Sequence, residues 1–64
     1  MTDIDTIVRR VREEFREMPG MHLTPAQAMR LWGLELEICQ RVINELVGAA
    51  FLRWTAAGTV TRTS

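Results

Sequence analysis

The chain has 64 residues, of which 47% are apolar and 25% are charged, a composition typical of one small globular domain. Eight arginines balance eight carboxylates, lysine is absent, and the formal net charge is zero. A dedicated DNA-binding domain usually has a basic excess, because contacts to phosphates supply much of its affinity. The balanced charge argues against such a domain, although residues 48–64 contain two arginines, Arg53 and Arg62, and no acid.

The sequence contains no set of residues that could cross-link the fold through a disulfide or a structural metal. One cysteine, Cys39, and one histidine, His22, are too few for a disulfide or a structural zinc site, and we expect Cys39 to be structural. A chain this short buries only about 60% of its unfolded surface, so stability must come from packing, with association of two copies as a further source. No apolar run approaches the roughly 18 residues of a membrane span, and the polar N-terminus carries no signal peptide. We therefore expect a cytoplasmic protein.

The first predicted element is an amphipathic helix that begins at Asp3 or Asp5. Aspartate is a common N-cap and favours the positive end of the helix dipole, while Pro19-Gly20 ends the helix. Its apolar positions recur at spacings of three and four residues and are Ile4, Ile7, Val8, Val11, Phe15 and Met18. The first three of these side chains form the predicted surface for a homodimer.

The clearest local pattern in the chain is a helix start at Thr24. Thr24 is a good N-cap, the proline that follows suits the first helical position, and Gln27 completes a capping box. This second helix is predicted over residues 25–32, and Gly33 ends it in a left-handed conformation. Residues 21–23, just before it, are predicted to form a brief strand.

After only Gly33-Leu34, a third helix is predicted from about Glu35. Its apolar side chains form one continuous stripe, made of Ile38, Cys39, Val42, Ile43 and Leu46. The opposite face carries polar side chains, namely Glu37, Gln40, Arg41 and Asn44.

The remainder of the chain predicts a β-hairpin. Residues 51–55 and 59–63 are rich in strand-forming side chains. The connection Ala56-Ala57-Gly58 fits a type I turn closed by a left-handed glycine. Trp54 and Val60 are predicted cross-strand neighbours, and Trp54 is expected to cover the core from the hairpin side, with a subunit contact as the alternative.

The predicted order of helix, short strand, helix, helix, strand and strand is that of a winged helix-turn-helix. The sequence from Leu23 to Val60 resembles the winged-helix DNA-binding domains of bacterial regulators. Residues 32–46 are similar to the turn and recognition helix of GntR-type regulators, and small free-standing bacterial winged-helix proteins are similar as well. The resemblance rests on Trp32-Gly33-Leu34, the apolar pair Ile38-Cys39, Leu46 and Phe51-Leu52. It implies a mainly α domain with a small β-hairpin over residues 1–64, and double-stranded DNA as its partner.

The chain departs from the family pattern at the start of the third helix. Regulators commonly have serine or threonine where Glu35 and Glu37 stand, and arginine where Leu36 or Gln40 stands. A recognition helix docks this end against DNA, and phosphates would repel the two carboxylates. The helix dipole explains both glutamates without a ligand, and an exposed Leu36 would indicate a protein partner.

Two functions therefore stay open. In the first, a transcription regulator binds DNA with Gln40, Arg41 and Asn44 in the major groove, while Arg53 and Arg62 in the hairpin contact the backbone. In the second, the same fold binds a protein and no nucleic acid, and the polar side chains of the third helix and the hairpin arginines form only a solvent-exposed surface. A purely structural homodimer is a third possibility. No phosphate-binding loop, nucleophile or paired carboxylates predict an enzyme, and no cofactor or metal is expected.

Overall fold

A computed structural model of the chain describes residues 3–63. The protein is mainly helical, with one small two-stranded antiparallel sheet. In chain order, its elements are α1 (Ile4–Glu17), α2 (Pro25–Trp32), α3 (Leu36–Gly48), β1 (Leu52–Trp54) and β2 (Val60–Arg62). Within the part of the chain that the structure describes, no helix has the length and apolar character needed to cross a membrane.

Of the two aspartates predicted to cap the first helix, Asp3 is the N-cap residue of α1. Its carboxylate accepts hydrogen bonds from the backbone amides of Asp5 and Thr6, and from the Thr6 hydroxyl at 2.7 Å. The bond from the Thr6 hydroxyl is the main reason that the pKa of Asp3 is lowered. Because the folded pKa lies below the unfolded one, this cap stabilises the helix above the ordinary aspartate pKa, and the contribution is lost as the pH falls through the folded pKa.

The capping box at the start of α2 is confirmed. The Thr24 hydroxyl oxygen accepts from the Gln27 backbone amide at 3.2 Å, and the Gln27 side-chain oxygen accepts from the Thr24 amide at 2.9 Å. Gly33 ends the helix with φ of 65°, in the left-handed region as predicted. At the start of α3, Glu35 is the N-cap residue, but its side chain forms no capping hydrogen bond. Its negative charge stabilises this end of the helix only through its interaction with the helix dipole.

The hydrophobic core lies where α1, α2 and the hairpin meet the buried stripe of α3. Phe15 of α1 is fully buried and meets Trp32 edge-on, with ring centroids 6.4 Å apart. The other buried side chains are Val11, Leu23, Ala28, Cys39, Val42, Ile43, Leu46, Leu52 and Val60. Ile7 and Val8, part of the predicted homodimer surface, are half-buried against this core. The exposed large apolar side chains are instead Met18, Leu31, Leu36 and Trp54.

The hairpin pairs Leu52 with Arg62, Arg53 with Thr61 and Trp54 with Val60, which confirms the predicted pairing of Trp54 and Val60. Gly58 closes the turn with φ of 79°.

The predicted brief strand before α2 is reduced to one bridge. Leu23 and Val60 exchange two backbone hydrogen bonds, of 3.1 and 2.8 Å. The Thr61 hydroxyl also donates to the Met21 carbonyl at 2.9 Å. Because β2 already pairs with β1 along its other edge, the segment before α2 lies on the outer side of β2. The chain around Leu23 therefore ties the hairpin to the start of α2.

The backbone at Ala50 is strained, with φ of 60°, a conformation that costs a non-glycine residue roughly 1 kcal/mol. We expect Ala50→Gly to raise the free energy of unfolding by about 0.5 kcal/mol, because glycine removes this strain but adds freedom to the unfolded chain. Ala49, with φ of −83°, is the matched control, and Ala49→Gly should lower stability by a similar amount. Thermal unfolding followed by circular dichroism measures both, and equal losses in the two variants would contradict the expectation.

Candidate nucleic-acid interface

The polar face of α3 is open to solvent. Gln40, Arg41 and Asn44 are all exposed, because the buried stripe of the same helix turns toward the core. Gln40 and Asn44 are four residues apart and so lie one above the other on this face. None of the side-chain hydrogen bonds or ion pairs within residues 3–63 uses any of the three. Their hydrogen-bonding groups are therefore available to a ligand.

Trp54 extends this face from the hairpin side. Its side chain is 45% exposed, so it does not cover the core, contrary to the expectation from the sequence. Together with Pro25, Gln40, Ile43 and Asn44 it lines a groove of about 290 Å³ between β1, α3 and the start of α2. Trp54 was not predicted as a site residue, because strand periodicity puts it on the same side as the buried Leu52. That periodicity does not reveal that β1 ends at the rim of the core.

The two hairpin arginines do not lie together. Arg62 pairs with Leu52 and Arg53 with Thr61, so the two side chains project from opposite faces of the hairpin. The Arg62 guanidinium lies over the Phe51 ring, 5.5 Å from its centroid. Arg53 is exposed. Arg53 is therefore the more accessible of the two guanidinium groups, and it projects from the face of the hairpin opposite to Trp54.

The N-terminal end of α3 is acidic and partly apolar. Glu35 and Glu37 are exposed there, and Leu36 between them is 49% exposed. Glu37 and the exposed Glu45 lie four residues before and after Arg41, the only basic residue of α3. The local charge therefore opposes phosphate binding at the first turn of the helix, and Arg41 in its middle is the one cation of α3 that could contact a phosphate.

Half of the arginines lie on α1 instead. The arginines Arg9, Arg12 and Arg16 line a second groove, and the carboxylates Asp5 and Glu13 share it. Because α1 packs against the buried stripe of α3, this groove lies on the other side of the domain from Gln40 and Asn44. One of its charges is already neutralised, since Arg16 pairs with Glu13 at 2.7 Å.

The cysteine and histidine contribute no chemistry to this face. Cys39 is buried, burial raises the pKa of its thiol, and its Sγ lies 3.9 Å from the Pro25 carbonyl oxygen. A raised pKa makes the thiolate scarce and the thiol unreactive. His22 is exposed in the segment before α2. Residues 3–63 contain no group of three or more histidine, cysteine or acidic side chains arranged to hold a metal ion.

The candidate site therefore consists of Gln40, Arg41 and Asn44 on α3 and Trp54 on the hairpin, while the exposed Arg53 lies on the face of the hairpin opposite to Trp54. The site offers amide and guanidinium hydrogen bonds and one exposed aromatic ring, which are groups that contact bases and phosphates in protein–DNA complexes. Comparison of the chain with protein-family models, with curated proteins and with solved structures finds no match.

Proposed function

We propose that the chain is a winged-helix domain that binds double-stranded DNA, with a regulatory role in the cytoplasm and no enzymatic activity. The observation that carries this proposal is the exposed polar face of α3, where Gln40, Arg41 and Asn44 have no partner within residues 3–63. The element order, the Leu23 bridge to β2 and the resemblance to GntR-type regulators support the winged-helix assignment.

In the proposed complex, α3 enters the major groove, which is wide enough for one helix. Gln40 and Asn44 can each bond the N6 and N7 atoms of adenine, and Arg41 bonds guanine or a phosphate. Arg53 contacts the backbone beside the groove. Because Glu35 and Glu37 repel phosphates, the middle of the helix, and not its first turn, approaches the bases. One such domain makes a small footprint, and a second copy would double the contacts, which supports a homodimer on DNA.

Binding to a pool of random duplex DNA at low salt tests the proposal directly. We expect retention of DNA that falls steeply as salt is added, because each neutralised phosphate releases counterions. Arg41→Gln should weaken binding, whereas Arg30→Gln, which removes the same charge from an exposed position on α2, should have little effect. Failure to retain any duplex at the lowest salt would contradict DNA binding, and equal effects of the two substitutions would contradict the use of α3.

A second comparison separates the two hairpin arginines. We expect Arg53→Gln to lower DNA affinity and to reduce the slope of log affinity against log salt by about 1, the effect of losing one phosphate contact. Arg62→Gln should leave that slope unchanged and instead cost about 0.5–1 kcal/mol of stability, because its guanidinium is lost from the Phe51 ring. Titrations at several salt concentrations and urea unfolding give the two readouts. Equal slopes for both variants would contradict the assignment.

The alternative function is binding to a protein, and one observation favours it. Leu31 near the end of α2 and Leu36 at the start of α3 are each about half exposed, at 50% and 49%. Apolar side chains exposed at this turn would be removed from water if a protein partner covered them. Leu36→Arg helps to distinguish the two functions. A domain whose α3 docks on DNA should keep or raise its DNA affinity with the added cation, whereas a chain that retains no duplex with or without the substitution would favour a protein partner.

A further inference from the structure

The groove beside Trp54 combines two kinds of surface. Trp54 forms an apolar wall, and Ile43 of α3, whose side chain is only 1% exposed, also lines the groove. Gln40 and Asn44 border the same groove with two carboxamides. The groove therefore offers an apolar recess directly next to hydrogen-bonding groups.

All five side chains that line this groove are uncharged. A phosphate would find no cation there, and a carboxylate would lose its hydration without a partner. The occupant that fits is a small apolar group with hydrogen-bonding atoms beside it.

In the major groove of DNA, an A·T base pair has this combination. Thymine carries a C5-methyl group that projects into the groove, and the paired adenine presents its N7 acceptor and N6 donor next to it. A carboxamide bonds those two adenine atoms with two hydrogen bonds, and apolar side chains contact the thymine methyl. A G·C pair presents no methyl group, and its acceptor pair on guanine suits a guanidinium better than a carboxamide.

We propose that the groove receives a thymine methyl group against Trp54, while Gln40 or Asn44 bonds the edge of an adenine, so that the chain selects an A·T base pair at this position. This inference rests on the proposed DNA binding and adds the base specificity of the same site. It assigns Trp54 as a specificity-determining residue.

The test first selects duplexes from a random pool at low salt, and then replaces each thymine of a selected duplex, one at a time, with deoxyuridine. The replacement removes only the methyl group. At one position we expect the wild-type chain to lose about fourfold in affinity, the factor that corresponds to one buried methyl group. Trp54→Ala should bind the thymine and uracil duplexes equally, while Leu36→Ala, which shortens an exposed apolar side chain on α3 outside this groove, should keep the full difference.

Because Trp54 is 45% exposed, the variant should fold, and its circular dichroism spectrum and unfolding midpoint verify this. Trp54→Phe keeps an aromatic wall and should retain part of the methyl dependence, so the assignment can be tested even if the alanine variant is unstable. Equal affinity of the wild-type chain for thymine and uracil at every position, or selection of sites without A·T pairs, would overturn this inference alone. Failure to retain any duplex would overturn the proposed function, and this inference with it.

Discussion

Replacing Phe15 with alanine is expected to lower the free energy of unfolding by about 3–5 kcal/mol. Phe15 is fully buried, and its ring joins α1 to α2 through the edge-on contact with Trp32. A domain of this length has a total stability of only about 3–10 kcal/mol. We therefore expect the Phe15→Ala chain to unfold at much lower urea concentration, and to be largely unfolded at 25 °C if the wild-type stability is at the lower end of that range.

Met18 gives the matched control for this experiment. It immediately follows α1 and is 61% exposed, and Met18→Ala should change stability by less than about 0.5 kcal/mol. Urea unfolding followed by far-ultraviolet circular dichroism compares the two variants with the wild-type chain. A loss below about 1 kcal/mol for Phe15→Ala would contradict the position of α1 in this fold.

Replacing Asn44 with alanine is expected to lower affinity for the selected DNA duplex by about 5- to 150-fold. The range corresponds to the 1–3 kcal/mol that one two-bond contact between a carboxamide and adenine contributes to discrimination. Because Asn44 is exposed and lies outside the core, the substitution should leave stability within about 0.5 kcal/mol of the wild-type value.

The neighbouring Glu45 provides a control on the same helix turn. It too is exposed, and Glu45→Ala removes a negative charge, so DNA affinity should stay unchanged or rise. Fluorescence anisotropy with the selected duplex and with an unrelated duplex measures both variants. A loss confined to the selected duplex supports base contact by Asn44. An equal loss on both duplexes would show that Asn44 contacts only the backbone, and no loss would remove it from the interface.

The helix boundaries could be predicted because they depend on neighbouring residues. Thr24 and Gln27 bond each other across one turn, and Gly33 adopts the left-handed conformation that glycine, lacking a Cβ, enters readily. The apolar stripe of α3 is likewise a local pattern, since a helix places every third or fourth side chain on one face. The same periodicity predicts that the polar residues opposite this stripe, Gln40, Arg41 and Asn44, lie on the exposed face.

The site beyond α3 could not be predicted in the same way. Arg53 and Arg62 look equivalent in the sequence. The pleat of the hairpin nevertheless places them on opposite faces, and the Arg62 guanidinium lies over the Phe51 ring. Trp54 looks like a core residue, yet β1 carries it past the edge of the core, where it borders a groove with Gln40 and Asn44.

Local patterns in the sequence were therefore sufficient to predict three helices, the caps of α2, the hairpin and the polar face of α3, since each depends on interactions within a few residues of the chain. The pairing of Leu23 with Val60, the different surroundings of the two hairpin arginines and the exposure of Trp54 beside α3 emerged only from the folded chain. Those features depend on contacts between segments far apart in the chain, where packing and strand register, and not local preference, set the positions of side chains.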